Sequence, residues 1–188
     1  ENYEKFLLEV QNKIKKIELV NQGELEQIRG VINISENLVD KQIDERVINS
    51  VKNLLGNKEV PVNISSEARV TLSTGGELLL WSIHSNMQKE VHQINPIRLS
   101  GDALIEKNKS SEQVAKEAVT ELNVEIENGN TVDKFLADQL LQFMIILPGS
   151  KIKINNISNH TKTNIYVLEK FFNYKFKCEK EFIEVVKN

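Results

Sequence analysis

The stretch Asp133–Phe172 constrains this chain more than any other, because it reads as helix, short strand and second helix in forty residues. Thr131 is placed to cap the first helix, which runs to about Leu147 and is ended by Pro148–Gly149. Its apolar core, LADQLL, carries the polar pair Asp138–Gln139. Lys151–Ile154 reads as a strand and Asn155–Ser158 as a polar loop. Ser158 or Asn159 then caps a helix through Phe172, with His160 in its first turn. Two amphipathic helices around one strand need a sheet to bury against, so the surroundings must supply more strands.

Those strands are expected on both sides. Tyr3–Val10 and Ile14–Val20 alternate apolar and polar residues as strands do. Tyr174–Glu179 and Phe182–Val186 close the chain as an antiparallel pair. Between them, Ile28–Ser35 is a β-rich strand, followed by a helix from Glu36 or Asn37 to Leu55 that stops at Gly56. Val60–Ile64 is a short strand with Pro61 near its start. Arg69–Leu72 and Glu77–His84 read as a hairpin about Ser73–Gly76. Ile94–Leu99 and Leu104–Ile105 are weaker strands. Ser110–Gln113 has the form of a capping box, and its helix runs to Glu127, with Val114, Ala118, Leu122 and Ile126 on one stripe and Gly129 as its stop. The order predicts an α+β protein in which a middle segment, about Ile28–Gly129, forms a domain inserted in another.

Composition narrows the function classes. The 188 residues, 40% apolar and 27% charged, suffice for one or two globular domains. No apolar run reaches membrane-spanning length, so no membrane partner is expected. The single Cys178 rules out an internal disulfide framework and points to a reducing compartment. A net charge of −3 argues against coating nucleic acid by bulk electrostatics, although a local patch would still grip a strand end. Neither a P-loop nor a GxGxxG sequence is present, and no His or Cys spacing suits zinc. His84, in LLLWSIHS, and His92, in a polar loop, read as structural or solvated.

His160 stands apart. Free N–H groups and the positive end of a helix dipole attract phosphate oxygens, so a ring there stands where a nucleophilic nitrogen could meet a bound phosphate. A carboxylate on one ring nitrogen would fix the tautomer, and Asp138, an acid in an apolar segment, needs a partner. Phe135 lies one helical turn before Asp138 and Gln139, so all three border one cleft. Thr161, Thr163 and Asn164 follow in the turn after His160. Taken alone, these residues equally fit helix capping and core packing.

Two blocks, Phe135-Leu-Ala-Asp138-Gln139-Leu-Leu and Ser158-Asn-His160-Thr-Lys-Thr163-Asn164, resemble the RNA 3'-terminal phosphate cyclases in order and separation. Weaker similarity extends through Gly23–Val31, Ala103–Val119 and the terminal KFF pattern. The resemblance implies ATP-dependent conversion of an RNA 3'-phosphate end to a 2',3'-cyclic phosphate, with Mg2+ or Mn2+, in the cytoplasm. By similarity, His160 would form a histidine–AMP phosphoramidate and Asp138 would orient it. Gln139, Thr163 and Asn164 would contact the nucleotide, and Phe135 would stack on adenine. No metal ligand is assigned in this chain.

The implied fold is the last sheet-plus-two-helices repeat of a large catalytic domain, interrupted by a smaller α+β insert. Residues 1–27 and 130–188 would form the repeat and 28–129 the insert. The family's N-terminal half, with its further nucleotide, metal and RNA contacts, has no counterpart in these 188 residues. The expectation is therefore weak activity in isolation and association, including into homo-oligomers, through the surface that half would cover. The competing expectation is a non-catalytic cyclase-like factor of ribosome assembly that binds RNA or protein.

Overall fold

The computed structural model describes residues 2–86, 90–91 and 97–187. It is an α+β protein that divides into two compact units, Glu1–Gln22 with Asn128–Asn188, and Gly23–Glu127. His92 and the start of the strand expected at Ile94 lie outside the described residues. Among the described residues no helix is long and apolar enough to cross a membrane.

The contiguous unit is built on β2 (Glu24–Ser35), long enough to pair on both sides. Its sheet runs β3-β2-β4-β5, with β3 (Val62–Arg69) parallel to β2 and β4 (Gly76–Ser85) and β5 (Ile97–Ile105) antiparallel. Helix α2 (Ile43–Leu55) makes the crossover between the parallel strands. The hairpin expected at Arg69–His84 is therefore absent: β3 and β4 flank β2 instead of pairing with each other. Local turn signals at Gly75–Gly76 lost to the two-sided pairing capacity of β2. The helix expected from Glu36 to Leu55 is also broken, because Gln42 adopts a left-handed φ of 51° between a 3-10 turn (Glu36–Lys41) and α2.

One face of this sheet carries the core. Ile28, Ile32, Leu78, Leu80 and Leu99 are fully buried against Val47 and Val51 of α2 and Ala118 and Leu122 of α3 (Ser111–Glu127). The capping box forms as expected: Ser110 N–H donates to Gln113 Oε1 at 2.8 Å and Gln113 N–H to Ser110 Oγ at 3.2 Å. Helix α3 lies so close to β5 that a Cβ on Gly101 would stand 2.5 Å from Leu122 N and press on the Ala118 carbonyl. His84 is buried on this same face of β4, with Nε2 2.9 Å from Ser82 Oγ. Burial pushes its pKa down to about 4, against the backbone of Gly23 and the charge of Glu26, which raise it.

The other unit joins α1 (Asn2–Lys13) and β1 (Glu18–Leu19) to the last third of the chain. The strand expected over Tyr3–Val10 is thus a helix. Leu7, Val10 and Gln11 are its partly buried positions, at 3.6-residue spacing, which the alternating reading missed. The second expected strand, Ile14–Val20, shrinks to the two residues of β1. The sheet runs β1-β6-β8-β7, with β1 parallel to β6 (Lys151–Lys153) and β8 (Phe182–Lys187) antiparallel to both β6 and β7 (Tyr174–Glu179). Helices α4 (Lys134–Met144) and α5 (Asn159–Phe171) share its core through Ala137, Leu141, Met144, Ile165 and Leu168, against Ile152, Ile183 and Val185.

Two outcomes follow. Gly101→Ala should lower stability by about 1–3 kcal/mol, because packed backbone has to move; a urea midpoint unchanged from wild type would contradict that contact. The His84 ring is neutral when folded, so the unfolded chain binds the extra proton first. Stability contributed by the neutral ring is complete above about pH 6.5 and is lost as pH falls toward 4, amounting to roughly 3 kcal/mol. His84→Gln should flatten that part of the stability–pH curve, measured by urea titration at several pH values.

Candidate functional site

Helix α4 does not start where Thr131 was expected to cap it. Asp133 is the cap, its Oδ1 accepting from Phe135 N at 3.0 Å and Leu136 N at 2.8 Å. Thr131 is buried between strands, donating to Leu19 O at 2.6 Å and accepting from Lys153 N at 3.0 Å. The helix ends at Met144, three residues before the expected Leu147. Its start fixes which side chains face outward. Phe135 (51% exposed) and Gln139 share an exposed face one turn apart, and Lys134 Nζ stands 4.8 Å from the Phe135 ring centroid. Asp138 lies between exposed and buried, turned toward α5.

Helix α5 opens as the sequence suggests, with Ser158 as cap and Asn159, His160 and Thr161 as its first three residues. Ser158 Oγ accepts from Thr161 N at 2.9 Å and lies 2.9 Å from Thr161 Oγ1. The fully buried Thr161 hydroxyl donates to Asp138 Oδ1, and Ser158 Oγ stands 3.5 Å from the same oxygen. The acid in the apolar helix has thus found its partner in the hydroxyl pair beside His160. Among the described residues no hydrogen bond joins Asp138 to the His160 ring. Thr161, placed by the sequence no further than in the turn after His160, is the link to Asp138. Its signal was the second hydroxyl three residues after the Ser158 cap.

The His160 side chain is exposed, as are Thr163 and Asn164. Thr163 Oγ1 donates back to Asn159 O at 2.9 Å and so stiffens the first turn. Thr161 N is taken by Ser158 Oγ and Lys162 N by Ser158 O at 3.0 Å. The amides of Asn159 and His160 have no partner among the described residues, leaving two N–H donors just before the imidazole's attachment point. Free amides at a helix N-terminus are able to meet an anion, and the imidazole stands on the same turn. Cys178 is a poor rival nucleophile, because partial burial and the charge of Glu169 push its thiol pKa up. Among the described residues no group of three His, Cys, Asp or Glu side chains is arranged to hold a metal ion. A cavity of about 600 Å³ bordered by Lys13, Lys15, Lys16 and Pro148 contains none of the six candidate residues.

Comparison with known proteins bears on this arrangement. A family model described as RNA 3'-terminal phosphate cyclase matches residues 5–178. A protein of that name from Pyrococcus abyssi is 36% identical over 139 residues, covering 74% of this chain and 37% of its own length. One from Methanosarcina barkeri is 40% identical over 83 residues, 44% of this chain and 25% of that protein. One from Pyrobaculum neutrophilum is 28% identical over 170 residues, 89% of this chain and 46% of that protein. The chain therefore spans less than half the length of these relatives.

Thr161→Val keeps the shape of the side chain but leaves the Asp138 carboxylate with only the long contact from Ser158 Oγ. A loss of about 1–2 kcal/mol in unfolding free energy is expected, with Thr161→Ser recovering most of it. Equal urea midpoints for wild type and Thr161→Val would remove the link from the structural account.

Proposed function

Because this chain belongs to the RNA 3'-terminal phosphate cyclase family, we propose that it carries the nucleophile of an ATP-dependent RNA end-cyclising enzyme, and that His160 is that nucleophile. The observation that carries the reading is the exposed imidazole on the first turn of α5, just after two backbone amides with no partner among the described residues. His160 attacks the α-phosphorus of ATP, forming an N–P bond as the bond to the pyrophosphate oxygen breaks. The adenylyl group then passes to an oxygen of the RNA 3'-phosphate, and the His160 nitrogen leaves. The neighbouring 2'-hydroxyl attacks that phosphorus, loses its proton and expels AMP, closing the 2',3'-cyclic phosphate.

In this scheme the free amides of Asn159 and His160 meet the α-phosphate oxygens as negative charge builds. Phe135 offers an open ring face for adenine, and Gln139, Thr163 and Asn164 offer polar groups to the nucleotide. Asp138 acts through the turn, fixing Ser158 and Thr161 and so the backbone that bears His160. The chain's own side chains offer no three-ligand metal cluster among the described residues, so no step is routed through a metal that they hold. The chain covers 37% of the Pyrococcus abyssi protein. The remaining contacts are assigned to residues that correspond to the other part of such relatives. Phe6, Leu8, Phe143 and Phe171, all more than half exposed, give that part an apolar surface to cover. A single Cys178 suits the reducing cytoplasm.

The test is adenylation with α-labelled ATP and Mg2+ or Mn2+, run on this chain mixed with a separately produced N-terminal half from a relative. A label stable to base, lost in acid, and reduced by ~10³-fold or more in His160→Asn is the expected result. Folded, complemented protein that takes up no label would favour a non-catalytic binding factor of the same family.

A further inference from the structure

In the contiguous unit both helices lie on one face of the β3-β2-β4-β5 sheet, and the other face carries a second set of side chains. Alternation along the strands assigns Arg29, Val31 and Asn33 of β2 to it, with Glu77, Leu79 and Trp81 of β4. From β5 come Arg98, Ser100, Asp102 and Leu104. Arg29 and Arg98 lie toward one end, where Glu24 pairs with Ser85 beyond them, and acidic side chains gather toward the other, with Arg69 bonded to Glu67 among them. At one end Arg29 stands directly opposite Trp81, Asn63 of β3 flanks Arg29, and Arg98 lies one row further on, opposite Ile83. At the other end Glu77 pairs with Leu104 in register and accepts from Asn33 Nδ2 at 3.1 Å.

Beside the cationic end is an open cavity of about 520 Å³ whose wall includes Arg29, Lys52, Asn63, Ser65 and Trp81, two cations and no carboxylate. Arg29 is exposed and Trp81 half exposed; Arg29 Nε donates to Gln27 Oε1 at 2.9 Å. None of Arg29, Lys52 and Arg98 forms an ion pair among the described residues. A part-exposed tryptophan on a central strand, with Arg29 directly opposite, Arg98 and Asp102 on the two diagonals, and Lys52, Asn63 and Ser65 on the adjoining cavity wall, satisfies the needs of a single-stranded nucleotide. The indole stacks on a base, the cations meet flanking phosphates, and Asn63 and Ser65 meet sugar or base edges.

We propose that this sheet face is a second, sequence-tolerant binding site for single-stranded RNA, centred on Trp81 and separate from the residues around His160. The proposal rests on the RNA end-cyclising reading only for the class of ligand. With the chain at net −3, attraction has to be local, which Arg29 and Lys52 on the cavity wall and Arg98 nearby provide.

Trp81 is the only tryptophan, so its fluorescence reports this face alone. The probe is a ten-nucleotide single-stranded RNA ending in a 3'-hydroxyl, which no cyclising reaction consumes. Saturable quenching is expected. Contact with two or three phosphates should weaken binding roughly tenfold between about 50 and 200 mM salt. Arg29→Ala with Arg98→Ala, both exposed positions whose loss leaves the fold intact by circular dichroism, should weaken it at least roughly tenfold, as expected for two lost phosphate contacts. His160→Asn should leave it unchanged, so failure of the cyclase reading and failure of this one give different results. No change in Trp81 emission with RNA would overturn the proposal. Binding that ignores both salt and the paired arginine replacement would also overturn it, and would mark the face as an apolar protein-docking surface.

Discussion

The hydroxyl of Thr161 joined to the carboxylate of Asp138 is the contact on which the geometry around His160 depends. A half-buried carboxylate in an apolar helix is costly unless something donates to it. Here the donor comes from the first turn of the next helix, so one hydrogen bond meets the needs of α4 and fixes the start of α5. Ser158 completes the arrangement by capping the turn while leaning on the same oxygen. Because the cap takes the third amide of the helix and the chain itself the fourth, those of Asn159 and His160 stay open among the described residues. The reactive-looking end of α5 is thus a by-product of how a buried acid is satisfied.

Legibility followed the range of the interaction. The second half of the chain was readable because its signals are local: the Ser158 cap, Gly149 with its positive φ, the capping box at Ser110 and the closing β7–β8 pair all lie within a few residues of what they specify. Errors gathered where long-range pairing decides. Nothing near Arg69 reveals that β3 will lie parallel to a strand that ended thirty-odd residues earlier, since the crossover through α2 is a tertiary event. Helix α1 was lost for a different reason. Its short run KFLLEV fits both periods, and the choice between them depends on what covers Leu7 and Val10.

The candidate residues fall on the elements expected of them, and their wiring departs from the expectation. His160, Thr163 and Asn164 sit on the predicted turn, and Phe135 and Gln139 on the predicted helix. A carboxylate next to a histidine invites the simplest pairing, and the chain makes another. Spacing along a sequence cannot say which of two adjacent side chains, a ring that faces water or a hydroxyl that faces the core, will turn toward an acid twenty-three residues away. Burial decides it: Thr161 is wholly enclosed and His160 is not.

The two-segment unit has a bearing on how the polypeptide matures. Ile17 N–H donates to Ser150 Oγ at 3.0 Å, Lys151 N–H to Ile17 O at 2.8 Å, and among the described residues β1 pairs only with β6. A ribosome therefore releases Glu18–Leu19 more than a hundred residues before their mates exist. Gly23–Glu127, contiguous and self-sufficient in core, is able to condense in the interval. Once collapsed, it brings the two flanks nearer than an unstructured tether of that length would, lowering the entropy lost on closure. Slow synthesis through the middle of the chain should therefore help, and cleavage there should strand the amino-terminal flank without its sheet.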